Sequence, residues 1–184
     1  SGGATLRVLD QLAAEPDTLT AGRVLIIHSG GDSRRAPHCS ATGKLFARLP
    51  RVLPDGRAST VFDEFLISLS GLSSAQLRPG VLIASGDVLL VFDHLQLAFQ
   101  RGGVIGVSAA ADLATALQHG VYVLSSAADT PHQAAPHRVR AYLHKPSAAE
   151  LKHWNAIHAD GTVQIDTGLV WLDALTALKF AALT

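Results

Sequence analysis

The sequence predicts an α/β fold in which a mostly parallel sheet is covered by helices on both faces. Three observations lead to this class. Short apolar segments alternate along the chain with segments of helical periodicity. The best strand segments, 23–28 and 81–85, are continuous apolar runs, which is typical of strands buried on both faces. Polar turns follow strands at Ser29, Ser85 and His144, and the carboxyl ends of strands are where open α/β sheets bind ligands.

The predicted elements follow from hydrophobic spacing and from the polar or glycine residues that end each segment. A long polar segment, 30–50, separates the first strand from the second helix, and a loop of that length in a compact domain is usually functional. The elements are, in order, helix 5–14, strand 23–28, helix 61–69, strand 81–85, strand 104–107, helix 112–118, strand 121–124, strand 139–144, helix 147–157, strand 163–172 and a last helix from Asp173.

Composition excludes several classes of protein. The 184 residues carry no net charge and only 16% charged residues, which excludes intrinsic disorder and argues against a nucleic-acid binder with a basic face. No apolar run approaches the ~20 residues of a membrane span. Cys39 is the single cysteine, so the chain has no disulfide framework of its own, and a cytoplasmic location is expected. Because the chain has no methionine, its native start is expected to lie outside this sequence.

The polar segment after the first predicted strand is the first candidate for chemistry. Gly30 and Gly31 let the backbone approach a phosphate closely and present successive N–H groups to it. Arg35 and Lys44 add the positive charge that a triphosphate needs. The alternative is an ordinary glycine turn beside solvated arginines. The segment is not a P-loop, because Leu45 stands where a magnesium-binding Ser or Thr is required.

Two carboxylates are candidates for a metal site. Asp87 follows the predicted strand 81–85, and Asp166 lies within the predicted strand 163–172. Mg²⁺ prefers carboxylate and phosphate oxygens, so either residue can hold it beside a bound nucleotide. The alternatives are an aspartate in a turn and a β-bulge marked by Gly168.

Lys145 is a candidate for binding a second phosphate. It follows the predicted strand 139–144 and carries a compact positive charge on a flexible stem. Because Pro146 comes next, an extended backbone is predicted at Lys145. The alternative is a solvated lysine beside a helix N-cap.

Other enzyme classes find little support in the sequence. Zinc ligands are not arranged at metal-binding spacing, since His153 and His158 are five residues apart and no Cys-x-x-Cys pair occurs. Neither a Gly-x-Ser-x-Gly hydrolase turn nor a Gly-x-Gly-x-x-Gly dinucleotide fingerprint is present.

Six runs of the sequence, taken in series, carry a family resemblance. They are SGGATL from Ser1, IIHSGGDSRRAP from Ile26 with GKLF after it, LIASGDVLL from Leu82, HGVY from His119, HKPSAAEL from His144 and IDTGLVWL from Ile165. Together they resemble the fucose-1-phosphate guanylyltransferase (GDP-fucose pyrophosphorylase) domain. More distantly, the chain is similar to sugar nucleotidyltransferases, which have a Gly-Gly-x-x-x-Arg-Leu…Lys signature. In this chain Ala36 stands in place of the leucine, which is a packing position.

This resemblance implies a Rossmann-like, GT-A-like nucleotidyltransferase fold for one domain spanning 1–184. It implies the reaction of GTP with β-L-fucose 1-phosphate to give GDP-L-fucose and pyrophosphate. Arg35 would stabilise the leaving pyrophosphate and Lys44 the charge on the α-phosphate, while Lys145 would bind the sugar phosphate. Asp87 and Asp166 would hold Mg²⁺. Nucleotide-binding residues implied by the motifs are Gly2, Gly3, Thr5, Gly30, Gly31 and Ser33.

Two alternatives keep the fold and change the function. A related N-terminal domain of animal L-fucokinases has lost the glycine-arginine loop and acts as a structural module. Here the loop keeps Gly30, Gly31, Arg35 and Lys44, which favours activity. The other alternative is a nucleotidyltransferase for a different sugar 1-phosphate or base.

Overall fold

The protein is described by a computed structural model, which shows an α/β molecule and confirms the predicted class. The residues that the structure describes are 2–15, 17–29, 37–41, 43–72, 78–86, 88, 97, 99, 101–125 and 136–183. They group into two compact units, one formed by Ser1–Ile105 with Gly168–Thr184 and the other by Gly106–Thr167. That the whole of 1–184 is one nucleotidyltransferase domain stays a prediction.

Within the described part of the chain, the first unit contains three of the five α-helices. Its elements are α1 (Gly2–Ala13), β1 (Arg23–His28), short 3-10 turns at Pro37–Cys39 and Lys44–Phe46, β2 (Arg48–Val52), β3 (Ala58–Thr60), α2 (Val61–Ser70), β4 (Gly80–Ser85), the second half of β8 (Val163–Asp173) and α5 (Ala174–Ala181).

Strand directions in this unit correct the sequence prediction. β1 and β4 are parallel over their whole length, from Arg23 beside Gly80 to His28 beside Ser85. β8, however, pairs with β4 in the antiparallel direction, and β2 and β3 are also antiparallel. The prediction of a mostly parallel sheet is therefore wrong, and the described sheet is mixed and mostly antiparallel. A continuous apolar run reports burial of a strand on both faces, but it carries no information about direction.

The core of the first unit lies where α1 and α5 pack together and against β4. Amphipathic spacing in α1 directs Leu9 inward, and that side chain is fully buried. α5 begins at a side-chain cap, since the Asp173 carboxylate accepts a hydrogen bond from the N–H of Thr176. The buried members of this core are Leu9, Leu19, Ile26, Val81, Leu172, Ala177 and Ala181.

The second unit is built from β6 and β7 paired antiparallel, with Gly120 beside His144. β6 also pairs antiparallel with the first half of β8, at Val121 and Ile165. Its elements are β5 (Val104–Ala111), whose first two residues belong to the first unit, α3 (Leu113–Ala116), β6 (Gly120–Leu124), β7 (Val139–His144), α4 (Ala148–His153) and the first half of β8. Its buried core residues are Ala116, Val121, Val123, Leu151, Ala156 and Val163.

Element boundaries differ from the predictions in a few places. α4 ends at His153 rather than near 157, because the chain turns at Asn155, which has a left-handed φ of 50°. The predicted loop 30–50 contains two 3-10 turns and the start of β2. No helix within the described ranges combines the length and hydrophobicity that a bilayer crossing requires.

Candidate active site

The carboxyl ends of β1 and β4 meet at one edge of the first unit. Because the two strands are parallel and in register, His28 lies beside Ser85. The chain leaves β4 through Gly86, whose N–H donates to the carbonyl of His28 at 2.9 Å. Ser29 and Gly86, which precede the predicted phosphate loop and Asp87, are therefore neighbours at the edge where such sheets bind ligands.

The first turn of α1 lies at the same edge. Thr5 Oγ1 and His28 Nε2 are 2.8 Å apart and form a partly buried hydrogen bond that ties the helix to the end of β1. Gly2 and Gly3 are within one helical turn of Thr5, so they stand within about 5 Å of it along the helix axis. The N–H groups of a first helical turn have no partners within the helix and can bind an anion.

His28 is held in its neutral form at this junction. Burial lowers the pKa of its imidazole below the usual value. A neutral ring can accept from the Thr5 hydroxyl or donate to it, according to its tautomer.

Two glycines allow the strands to come this close. A Cβ at Gly86 would stand 2.8 Å from the carbonyl oxygen of His28, so no other residue fits without opening the turn. Gly168 in β8 has a left-handed φ of 75°, and a Cβ there would stand 2.8 Å from that of Ser85. The glycine that suggested a bulge is thus required by both its conformation and its close contact with β4.

Gly2 and Gly3 differ from these glycines, because no close contact with the described residues requires them. A Cβ at either position would meet no atom of the described residues within 4 Å, and neither has a positive φ. This open space leaves the helix backbone accessible, and the nucleotide-binding role of the two glycines stays a prediction.

Lys44 begins the 3-10 turn that leads toward β2. Gly43, just before it, has a left-handed φ of 77° and donates its N–H to the carbonyl of Cys39 at 2.7 Å. The turn is anchored on either side of the lysine, since Leu45 is buried and the Phe46 ring packs on Phe62 at 5.7 Å between centroids. Lys44 is thus carried by a fixed backbone.

The remaining predicted residues of the phosphate loop and the first carboxylate lie outside the described residues. They are Gly30, Gly31, Ser33, Arg35 and Asp87. Their roles stay predictions, as does that of every other predicted site residue.

In the second unit, Asp166 is held by two tyrosine hydroxyls. Tyr122 donates to Oδ1 at 3.0 Å and Tyr142 donates to Oδ2 at 3.1 Å. A side chain at Gly106 or Gly120 would overlap one of the two phenol rings, so these glycines make room for the pair. Burial and the carboxylate next to them raise the pKa of both tyrosines, which therefore remain protonated donors at neutral pH.

The two hydroxyls orient the Asp166 carboxylate, with one hydrogen bond to each of its oxygens. Among the described residues, no three His, Cys, Asp or Glu side chains form a metal-binding group. A Mg²⁺ site here would therefore depend on one or two carboxylates together with phosphate oxygens, which is a usual arrangement for this ion.

Lys145 is exposed directly after β7, with a left-handed φ of 47°. The prediction of an extended backbone at this residue is wrong. Its N–H donates to the carbonyl of His119 at 3.1 Å, and two residues later Ser147 begins α4 with a capping box that includes Glu150. These tertiary and capping bonds outweigh the local bias that Pro146 exerts.

Comparison with known proteins agrees with the resemblance seen in the motifs. The family model described as the fucose pyrophosphorylase domain matches residues 16–184. The chain belongs to this family. A bifunctional fucokinase/GDP-fucose pyrophosphorylase of Arabidopsis thaliana is 33% identical over 156 residues, which is 83% of this chain and 15% of that protein. The fucose-1-phosphate guanylyltransferase of Mus musculus is 32% identical over 163 residues, or 86% of this chain and 27% of that protein.

The human fucose-1-phosphate guanylyltransferase is 28% identical over 193 residues, covering 95% of this chain and 31% of that protein. The chain thus spans less than a third of the length of these relatives. What it shares with the fucose pyrophosphorylase family is a domain rather than a complete protein.

Sequence reasoning missed several residues that build the candidate site of this family member. The hydrogen bond of His28 to Thr5 was not predicted, although His28 stands at the end of a strand just before the glycine loop. The hydroxyls of Tyr122 and Tyr142 were also missed. Their alternation with apolar neighbours in two strands signals a shared sheet face, but it does not indicate the carboxylate that both contact.

Proposed function

We propose that this domain joins GTP and β-L-fucose 1-phosphate to give GDP-L-fucose and pyrophosphate. The observation that carries the proposal is the junction of α1, β1 and β4, where Thr5 contacts His28 and Gly86 contacts the end of β1. Membership of the fucose pyrophosphorylase family supplies the substrate class. The activities printed for the relatives belong to longer proteins, which is why the reaction is proposed for this chain rather than transferred to it.

In this proposal, the nucleotide binds at the junction of α1, β1 and β4. The backbone of Gly2 and Gly3, with Thr5 beside them, contacts the nucleotide, and open space around both glycines supports that role. Gly30, Gly31 and Ser33 follow β1 directly in the sequence and cradle the phosphates with successive N–H groups.

In the proposal, two cationic side chains and a metal ion stabilise the negative charge of the phosphates during the reaction. Arg35 stabilises the leaving pyrophosphate, and Lys44, on its anchored turn, stabilises charge on the α-phosphate. Asp87 and Asp166 would hold Mg²⁺ in this proposal, and the orientation of the Asp166 carboxylate by two hydroxyls supports its part in such a site. The ion would supply positive charge to the phosphate oxygens.

The sugar phosphate is bound by Lys145. Its left-handed φ is a costly conformation for a residue with a side chain, and such strain is found often at functional sites. An exposed ammonium at the end of β7 is a suitable point charge for a phosphate monoester.

The chemistry requires positioning more than proton transfer. An oxygen of the sugar phosphate forms a bond to the α-phosphorus of GTP, while the bond from that phosphorus to the bridging oxygen of the β-phosphate breaks. The nucleophile is already ionised near neutral pH, and the bond electrons leave with pyrophosphate, so no general base is needed. Holding the two anions in line and stabilising the transferred charge supply the catalysis.

Pyrophosphate release by the full-length protein tests the proposal. Each of the four nucleoside triphosphates is combined with a panel of sugar 1-phosphates, and product is measured with and without added Mg²⁺. We expect release above background only with GTP and fucose 1-phosphate. No release with that pair refutes the proposed reaction, whereas release with another pair keeps the nucleotidyltransferase chemistry and changes the substrate.

A further inference from the structure

His28 stands at the end of β1, where three segments of the proposed nucleotide site begin. Its side chain contacts the first turn of α1, and its carbonyl contacts the chain that leaves β4. Its own chain continues in the sequence toward the glycine loop. The predicted site residues that these three segments carry are Gly2, Gly3 and Thr5 in α1, Asp87 after β4, and Gly30 and Gly31 after β1.

The side-chain contact holds the first turn of α1 against the end of β1. His28 Nε2 and Thr5 Oγ1 are 2.8 Å apart, a distance typical of a hydrogen bond. Further along the helix, the buried side chain of Leu9 packs into the core of the first unit. Helix ends fray when nothing holds them. The hydrogen bond to His28 therefore fixes the end of α1 that carries the two glycines, whereas core packing fixes its middle.

The backbone of His28 holds the start of the segment that leads to Asp87. Gly86, the residue before Asp87, donates its N–H to the carbonyl of His28 at 2.9 Å. A Cβ at Gly86 would stand 2.8 Å from the same carbonyl oxygen, so the two chains are in close contact there. One residue thus holds two neighbouring segments, one through its side chain and the other through its main chain.

Packing alone does not explain a histidine at this position. The strand residues 24–27 are all aliphatic, and another aliphatic side chain would suit the half-buried end of the strand. The imidazole instead makes a hydrogen bond to a residue 23 positions earlier in the chain. Such a bond contributes only modestly to overall stability. Its larger effect is on the position of the segment that it holds.

We propose that His28 is a positioning residue for the nucleotide. Through Thr5 it holds the backbone of Gly2 and Gly3 at the carboxyl edge of β1, where the glycine loop begins, so that both segments contact one triphosphate. It acts through Thr5 and not on the reacting atoms. Groups that are already in place before a ligand arrives lose less entropy on binding. The inference rests on the proposed function, because it takes GTP as the molecule bound at this edge.

Calorimetric titration of the full-length protein with GTP, in the presence of Mg²⁺ and without sugar phosphate, tests this role. His28→Leu removes the hydrogen bond and keeps a side chain of similar size. It should weaken GTP binding about three- to tenfold, as for loss of one ordinary hydrogen bond. His28→Gln keeps a side-chain group that can donate to Thr5 or accept from it, and it should restore most of the affinity.

A double-variant cycle shows whether His28 acts through Thr5. Thr5→Val keeps the shape of the side chain and removes the hydroxyl, so it should also weaken GTP binding. Adding His28→Leu to Thr5→Val should cause no further loss, because the bond is already absent. The KM for fucose 1-phosphate should change less than twofold in each variant. His153→Leu, at an exposed position on α4, is the control and should leave GTP affinity unchanged.

Unfolding temperatures establish that each variant is folded, and the affinities then decide. Equal GTP affinity in His28→Leu and the parent overturns the positioning role, and so does additive loss in the double variant. An equal loss in His28→Leu and His28→Gln overturns it as well. If His28→Leu does not fold, parental affinity in Thr5→Val overturns it instead. A parent that does not bind GTP overturns the proposed function together with this inference, whereas GTP binding without pyrophosphate release refutes the proposed reaction alone.

Discussion

Replacing Lys145 by glycine separates the stability of the fold from the binding of the sugar phosphate. The residue has φ 47°, a conformation that costs an L-residue about 1–2 kcal/mol and costs glycine nothing. Glycine also loses about 0.5–1 kcal/mol more through the entropy of the unfolded chain. The balance is a gain of about 0.5–1 kcal/mol, which corresponds to about 1–4 °C in unfolding temperature for a domain of this size.

Lys145→Ala is the matched variant, because alanine keeps the backbone strain and also loses the ammonium. Its unfolding temperature should stay within about 1 °C of the parent, since the side chain is exposed. Both variants should raise the KM for fucose 1-phosphate by about ten- to a hundredfold and change the KM for GTP much less, as expected for loss of one charge-assisted contact. Lys152→Ala, on the exposed side of α4, should change neither constant.

Thermal unfolding and saturation kinetics on the same preparations provide the measurements. If Lys145→Gly unfolds at a lower temperature than Lys145→Ala, the strain argument is refuted. Unchanged KM for fucose 1-phosphate in both variants refutes the phosphate-binding role, whatever the unfolding temperatures are.

The other predictions concern the junction and the proposed nucleotide loop. Gly168→Ala should lower the free energy of unfolding by about 2 kcal/mol or more in urea titrations, because backbone strain and a collision with β4 add together. Gly56→Ala is the control, since Gly56 has φ 84° in open space, and it should lower the free energy of unfolding by only about 1 kcal/mol. Equal losses in the two variants would contradict the steric argument. Burial lowers the pKa of His28 in the folded protein, so its contribution to stability is present above pH 6.5 and is lost as the pH falls through the lowered pKa. His28→Gln should therefore reduce the decline in unfolding temperature between pH 7 and 5. An unchanged decline would show that His28 is not a source of this pH dependence. Arg35→Ala and Lys44→Ala should each lower kcat about 10²- to 10³-fold, as for removal of one strong electrostatic donor, and parental kcat in either variant would remove that residue from the site.

The sequence by itself determined the α/β class and the approximate positions of six of the eight described strands, whereas β2 and β3 were not predicted. It also located the ends of β1 and β4, because glycine and polar residues interrupt continuous apolar runs there. These features are local, since apolar spacing reports which residues are buried and glycine reports where the chain turns tightly.

Only the tertiary structure decided the direction of β8 and the contacts made across the sequence. Hydrogen-bond partners of a strand can run either way for the same apolar pattern, so the antiparallel pairing of β4 with β8 was not predictable from composition. The contact of Thr5 with His28 joins residues that are 23 positions apart, and hydrophobic periodicity gives no information about contacts between residues so far apart in the sequence. The left-handed turn at Lys145 opposes the bias of its neighbour Pro146, because a hydrogen bond to His119 and the cap of α4 stabilise it.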